Sequence, residues 1–106
     1  MALFYTDDAG FEKAVEEYHK PKMVLFYASW CPHCHRMMPL IEEAAKLYDG
    51  KVSVFAVDVD KAPKASAKYA VRGIPTVLFF KNAKDYTSLA GERSLPELKN
   101  ELDRLI

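Results

Sequence analysis

The chain has 106 residues, half of them hydrophobic and 28% charged, and its fifteen basic and fifteen acidic side chains cancel. One domain spanning residues 1–106, with a core that needs no disulfide staples, is expected from that length and composition. Neutrality offers no basic face to nucleic acid or an anionic membrane, and the longest run free of Asp, Glu, Lys and Arg, Met23 to His35, is thirteen residues, short of the roughly 18 to 20 that cross a bilayer.

The opening MALFYTDDAG has no basic stretch and no long apolar stretch before Asp7 and Asp8. The expected location is therefore the cytoplasm, with an exported form only if a leader had been removed. Thr6 or Asp7 caps a predicted helix whose apolar positions Phe11, Ala14, Val15 and Tyr18 recur at helical spacing, and Pro21 stops it. His19 falls at its end as a surface residue. Met23 to Tyr27 is a continuous apolar run, too short for a buried helix and rich in strand formers, so it predicts a central strand covered on both faces. Cys31-Pro32-His33-Cys34 follows, and Met37, Met38, Ile41, Ala44, Ala45 and Tyr48 then keep a helical stripe up to Gly50. The two cysteines thus open a helix at the end of a buried strand.

Val52 to Val57 predicts a second buried strand, followed by Asp58, Asp60 and a short helix with Pro63 in its first turn and Tyr69 at its end. Thr76 to Phe80 predicts a third strand, residues 81–84 a turn, and Tyr86 to Leu89 its hairpin partner. Ser94-Leu95-Pro96-Glu97 is a capping box, leading into a helix with Leu95, Leu98, Leu102 and Leu105 on one face. Phe79 and Phe80 belong to the core. This order predicts an α/β fold, a mixed central sheet of four to five strands flanked by about four helices.

Only two cysteines are present and they stand three apart, so the pair is catalytic, redox-sensing or metal-binding rather than a structural staple. Cys31 at a helix start meets unpaired backbone N–H groups and the positive end of the helix dipole, which favour the thiolate. It is expected to be the exposed nucleophile, with His33 adding a cation or donor beside it and Pro32 shaping the first turn. Cys34, one turn on, is expected to be more buried and less acidic, placed to resolve a mixed disulfide.

From these residues the chain is identified as resembling the thioredoxin family along nearly its whole length. MVLFYASWCPHC resembles that family's strand and W-C-x-x-C site, VDVDKAPKASAKYAVRGIPTVLFF its second half, and Gly91 stands where the family has a glycine near the site. The resemblance implies the thioredoxin fold and a thiol-disulfide oxidoreductase working through a reversible Cys31–Cys34 dithiol. It further implies that Ile74-Pro75 is a cis-proline loop against the cysteines, and that Trp30, Ile74, Pro75 and Gly91 border the client-binding surface. From the residues alone Pro75 is equally a trans turn proline before a strand. No bound cofactor is expected; electrons would come from NADPH through a thioredoxin reductase, which with disulfide-bearing client proteins makes up the expected partners of a monomer.

Two departures stand out. Pro32-His33 is the dipeptide of the oxidant DsbA, where ordinary thioredoxins carry Gly-Pro and protein disulfide isomerases Gly-His. The expected reduction potential is accordingly less reducing than an ordinary thioredoxin's, with a DsbA-like or isomerase-like role as the alternative. Leu25 occupies a strand position where the family commonly has a buried acid that takes the proton of the second cysteine, leaving His33, His35, Asp58 or water for that task. Arg72 matches an arginine that in relatives approaches the site, although a loop arginine is more simply a surface residue.

Rival chemistries are c-type haem attachment through Cys31, Cys34 and His35, and zinc binding by those residues with His33. The preceding buried strand and sheet-rich remainder oppose the first, and the lack of a distant second ligand pair opposes the second. A non-catalytic interaction module is a third class, opposed by the intact cysteine pair.

Overall fold

The computed structural model describes residues 3–16 and 20–106. Within these, the elements run β1 (Leu3–Thr6), α1 (Asp8–Phe11, continuing as a π-helical turn over Glu12–Glu16), β2 (Lys22–Tyr27), α2 (Pro32–Leu47), β3 (Ser53–Asp58), α3 (Pro63–Lys68), β4 (Thr76–Phe80), β5 (Tyr86–Ala90) and α4 (Leu95–Asp103). Five strands form one sheet in the order β1-β3-β2-β4-β5, within the four to five strands expected from the sequence. β3 is parallel to both β1 and β2, whereas β4 runs antiparallel to β2 and β5. The sheet is therefore mixed.

Strand alternation sorts the core into two layers. Met23, Leu25, Val54, Ala56, Val77 and Phe79 face α2 and α4, meeting Met37, Ile41, Ala44, Leu98 and Leu102. Their neighbours Val24, Phe26, Phe55, Val57, Leu78 and Phe80 face α1 and α3, meeting Phe11, Val15, Ala62 and Ala65. β2 and β4 are fully covered on both sides, which is why both read as unbroken apolar runs.

Three expectations need correction. Leu3–Thr6 is a strand where the sequence offered only Thr6 as a candidate helix cap. Its four residues pair with Val54 to Val57, but Phe4 and Tyr5 lie exposed at the sheet edge, so neither length nor alternation marked it. The first helix is a single α turn followed by a π-helical turn rather than one α-helix, and Tyr18 and His19 lie outside the described residues. β3 begins at Ser53 and β5 extends to Ala90, each one residue from its expected limit.

Asp8 does unforeseen work. α3 starts at Ala62, which has no side chain to cap it, and Asp8 supplies the cap from across the fold. Its carboxylate accepts from Lys64 N and Ala65 N, both at 2.9 Å. With Asp8 N donating to Lys61 O at 3.3 Å, this ties α1 to the segment that follows β3. α4 carries the complete Ser94/Glu97 capping box.

Candidate functional site

The site forms where β2 ends and α2 begins. β2 is buried to Phe26, and the chain turns through Ala28, Ser29 and Trp30 before Cys31 takes the N-cap of α2 in extended backbone. Pro32, with no N–H to leave unsatisfied, holds the first helical position. The sulfur of Cys31 accepts the backbone N–H of Cys34 at 3.3 Å, and Cys31 O accepts from His35 N at 3.1 Å. Both cysteines are free thiols. They form a small apolar cluster with Ala28, against which Tyr27, Val59 and Ile74 pack.

Cys34 lies in the first turn of α2. It is 1% exposed, and burial first, then the hydrogen bond with Cys31, pushes its thiol up to about 11. Cys31 differs from expectation. Its residue is only 4% exposed, because its sulfur folds back over the first turn and is covered by Ile74. The Cys31 thiol lies 4.0 Å from the carbonyl of Ile74, within reach of a weak S–H donation.

Ile74-Pro75 is a cis peptide. Thr76 Oγ1 donates to Gly73 O at 2.6 Å and Gly91 N to Pro75 O at 2.8 Å, so the loop is pinned from both sides. Gly91 turns the chain with φ of 92°, a left-handed conformation that glycine adopts without cost. Trp30 is 66% exposed, with its indole N–H donating to Asp60 Oδ2 at 2.8 Å. Trp30, Ile74, Pro75 and Gly91 thus lie on loops at the end of the sheet occupied by the cysteines. Arg72 is exposed, and among the described residues no hydrogen bond or ion pair joins it to the site.

His33 is not a partner of Cys31. Its Nδ1 lies 2.8 Å from Glu92 Oε1 and 2.7 Å from Arg36 Nη2. Neither Glu92 nor Arg36 was singled out from the sequence. The available signals were the i, i+3 spacing of His33 and Arg36 on one helix and the position of Glu92 directly after Gly91.

Leu25, where the buried acid was missed, is fully buried and pairs with Ala56 and Val77, so no neighbour on the adjoining strands replaces the acid. Cys34 instead lines a cavity of about 270 Å³ with Tyr27, Ser29, His35 and Met38. His35 Nε2 lies 2.5 Å from Ser29 O, a contact in which this nitrogen donates, so that in the neutral ring Nδ1 is the acceptor. Burial, then the charge of Asp58, raises the Tyr27 phenol above its ordinary value. Asp58 itself accepts from Asp60 N at 2.9 Å. Of the candidates to receive the Cys34 proton, His35 alone shares this cavity.

Among the described residues, no group of three or more His, Cys, Asp or Glu side chains could hold a metal ion, and no helix is long and apolar enough to cross a membrane.

Comparison with known proteins gives a consistent result. The thioredoxin family model matches residues 2–104. A chloroplastic M-type thioredoxin of Spinacia oleracea is 37% identical over 100 residues, covering 94% of this chain and 55% of the relative. Thioredoxins of Staphylococcus epidermidis and Staphylococcus aureus are each 36% identical over 104 residues, 98% of either length. The chain spans a little over half the length of the chloroplast relatives it matches and nearly the whole of the staphylococcal ones.

Proposed function

The chain belongs to the thioredoxin family, and on that premise we propose that it acts, as a single domain, as a protein-disulfide oxidoreductase through Cys31 and Cys34. The observation that carries this reading is the N-cap position of Cys31, whose sulfur receives the Cys34 N–H at the start of α2. A helix start of this kind turns unpaired N–H groups and the positive end of the dipole toward the attacking sulfur.

The thiolate of Cys31 attacks one sulfur of a client disulfide: a Cys31–client bond forms, the client S–S bond breaks, and the first client thiolate leaves. Cys34 then loses its proton and attacks the Cys31 sulfur, closing Cys31–Cys34 and releasing the second client thiolate. Two electrons pass to the client. Because Leu25 offers no carboxylate, the Cys34 proton leaves through the cavity that His35 lines, with His35 Nδ1 as acceptor through one solvent molecule. The client backbone lies against Trp30, the Ile74-Pro75 loop and Gly91.

A thioredoxin reductase fed by NADPH returns the disulfide to the dithiol, and the cytoplasm is the compartment where that cycle runs. Against the C-x-x-C-H reading, His35 belongs to α2 of a thioredoxin-family chain and its Nε2 is held by Ser29 O. Pro32-His33 favours a potential above the thioredoxin value of about −270 mV and below the DsbA value of about −120 mV. Toward the upper end, the same site would act as an oxidant or isomerase.

The test is reduction of insulin disulfides with dithiothreitol as electron donor. Wild type accelerates it, while Cys31→Ser abolishes the effect and Cys34→Ser accumulates mixed disulfides through Cys31. Absence of acceleration, or trapping through Cys34 instead, would overturn the assignment.

A further inference from the structure

The contacts of His33 join the active-site dipeptide to the loop after β5, a connection that the thiol chemistry itself does not require. Arg36 donates to Glu92 with Nε at 3.2 Å from Oε2 and 3.3 Å from Oε1, and with Nη2 at 3.1 Å from Oε1. The carboxyl of Glu92 is held below its ordinary range by Arg36 and then by His33, so it is ionised at neutral pH. His33 Nδ1 sits between the Arg36 donor and the Glu92 acceptor, and one ring nitrogen cannot accept from the first and donate to the second in the same protonation state. In either state the ring stays within this group of three.

Glu92 is fixed at the rim of the site through Gly91, which donates to Pro75 O. Arg93 is turned away, donating to Ala90 O at 2.7 Å and to Glu97 at 3.4 Å, so it does not compete for Glu92.

We propose that Glu92 is a positioning residue that sets the redox poise of the Cys31–Cys34 pair, by gathering His33 and Arg36 onto its carboxylate and holding them off the Cys31 sulfur. This rests on the dithiol reading above. A cation beside the attacking cysteine stabilises its thiolate and hence the reduced form, which makes the disulfide a stronger oxidant. A carboxylate that engages the cations works the other way. Glu92 therefore moderates the oxidising tendency that Pro32-His33 carries. His33 and Arg36 side chains are 62% and 56% exposed, so solvent screens the effect and salt weakens it.

The experiment is the thiol-disulfide equilibrium with glutathione, read by acid quench and alkylation, for wild type, Glu92→Gln, His33→Gln and the double variant. Both substituted positions are exposed at the surface, and thermal melts check that folding is retained. Glu92→Gln should shift the equilibrium about five- to tenfold toward the dithiol, about 20 to 30 mV less reducing. In the His33→Gln background the shift should fall below twofold, and at 1 M salt it should shrink. Alkylation of Cys31 at pH 6 should be faster in Glu92→Gln. An unchanged or more reducing equilibrium, or an equal shift without His33, overturns the role of Glu92. Wild type failing to exchange reversibly with glutathione instead overturns the dithiol reading itself.

Discussion

Replacing Leu25 with Asp tests how the protein lives without a buried acid. The two side chains have nearly the same branched shape, so the substitution swaps two methyl groups for oxygens and leaves little cavity. Leu25 is 0% exposed, on the sheet face that meets α2 and α4. Losing its apolar burial costs about 2 kcal/mol, and a buried carboxyl without a partner adds about 1–3 kcal/mol. The total of about 3–5 kcal/mol is a large part of the roughly 5–15 kcal/mol that holds such a domain together. Burial raises the folded pKa of the new acid above its unfolded value near 4. The destabilisation is thus smallest below about pH 4 and grows as the pH rises through the folded value. Urea melts at pH 4 and pH 8 measure both. Single-turnover release of a client trapped on Cys31 should at the same time accelerate about tenfold, because a carboxylate now stands at the strand position where the family commonly carries its proton acceptor. A loss under about 1 kcal/mol, or one equal at the two pH values, would refute the closed apolar environment assigned to Leu25. An unchanged release rate would show that the missing acid does not limit resolution.

His35→Gln keeps a donor for Ser29 O but removes the ring acceptor. Client release should slow about tenfold with mixed-disulfide formation unchanged, and added imidazole should restore it; equal rates with and without His35 would send the proton straight to water. Asp8→Ala uncaps α3 and should cost about 1–2 kcal/mol in a urea melt, whereas Asp8→Asn should cost less. Tyr48 donates to Asp103 at 2.5 Å, and that bond, then burial, pushes its phenol up to about 12. A raised folded value means the Tyr48 contribution is complete below the unfolded value near 10 and is lost as the pH rises from there through about 12. Alkaline melts of wild type should therefore lose stability faster than those of Tyr48→Phe over that window.

Elements buried on both faces or closed by local chemistry were legible in the sequence. β2 and β4 announce themselves as apolar runs, α2 by its stripe from Met37 to Tyr48, and α4 by Ser94 and Glu97. β1 was not legible because a four-residue edge strand with two exposed aromatics has no period to read. The cysteine pair was visible because it is local, and Ile74-Pro75 because a family resemblance points to it. What escaped was contact between segments far apart in the chain, the Asp8 cap on α3 and the hold of Glu92 on His33 across 59 positions. The burial of Cys31 escaped for the same reason, since Ile74 covers it from another loop.

The reduction potential of the Cys31–Cys34 pair bears most directly on the account. Equilibration in glutathione buffers, with Trp30 fluorescence and alkylation as independent readouts, should give one reversible two-electron transition between about −270 and about −120 mV, absent from Cys31→Ser and Cys34→Ser. A value at or below about −270 mV would contradict the poise assigned to Pro32 and His33, and no reversible transition would contradict the dithiol chemistry altogether.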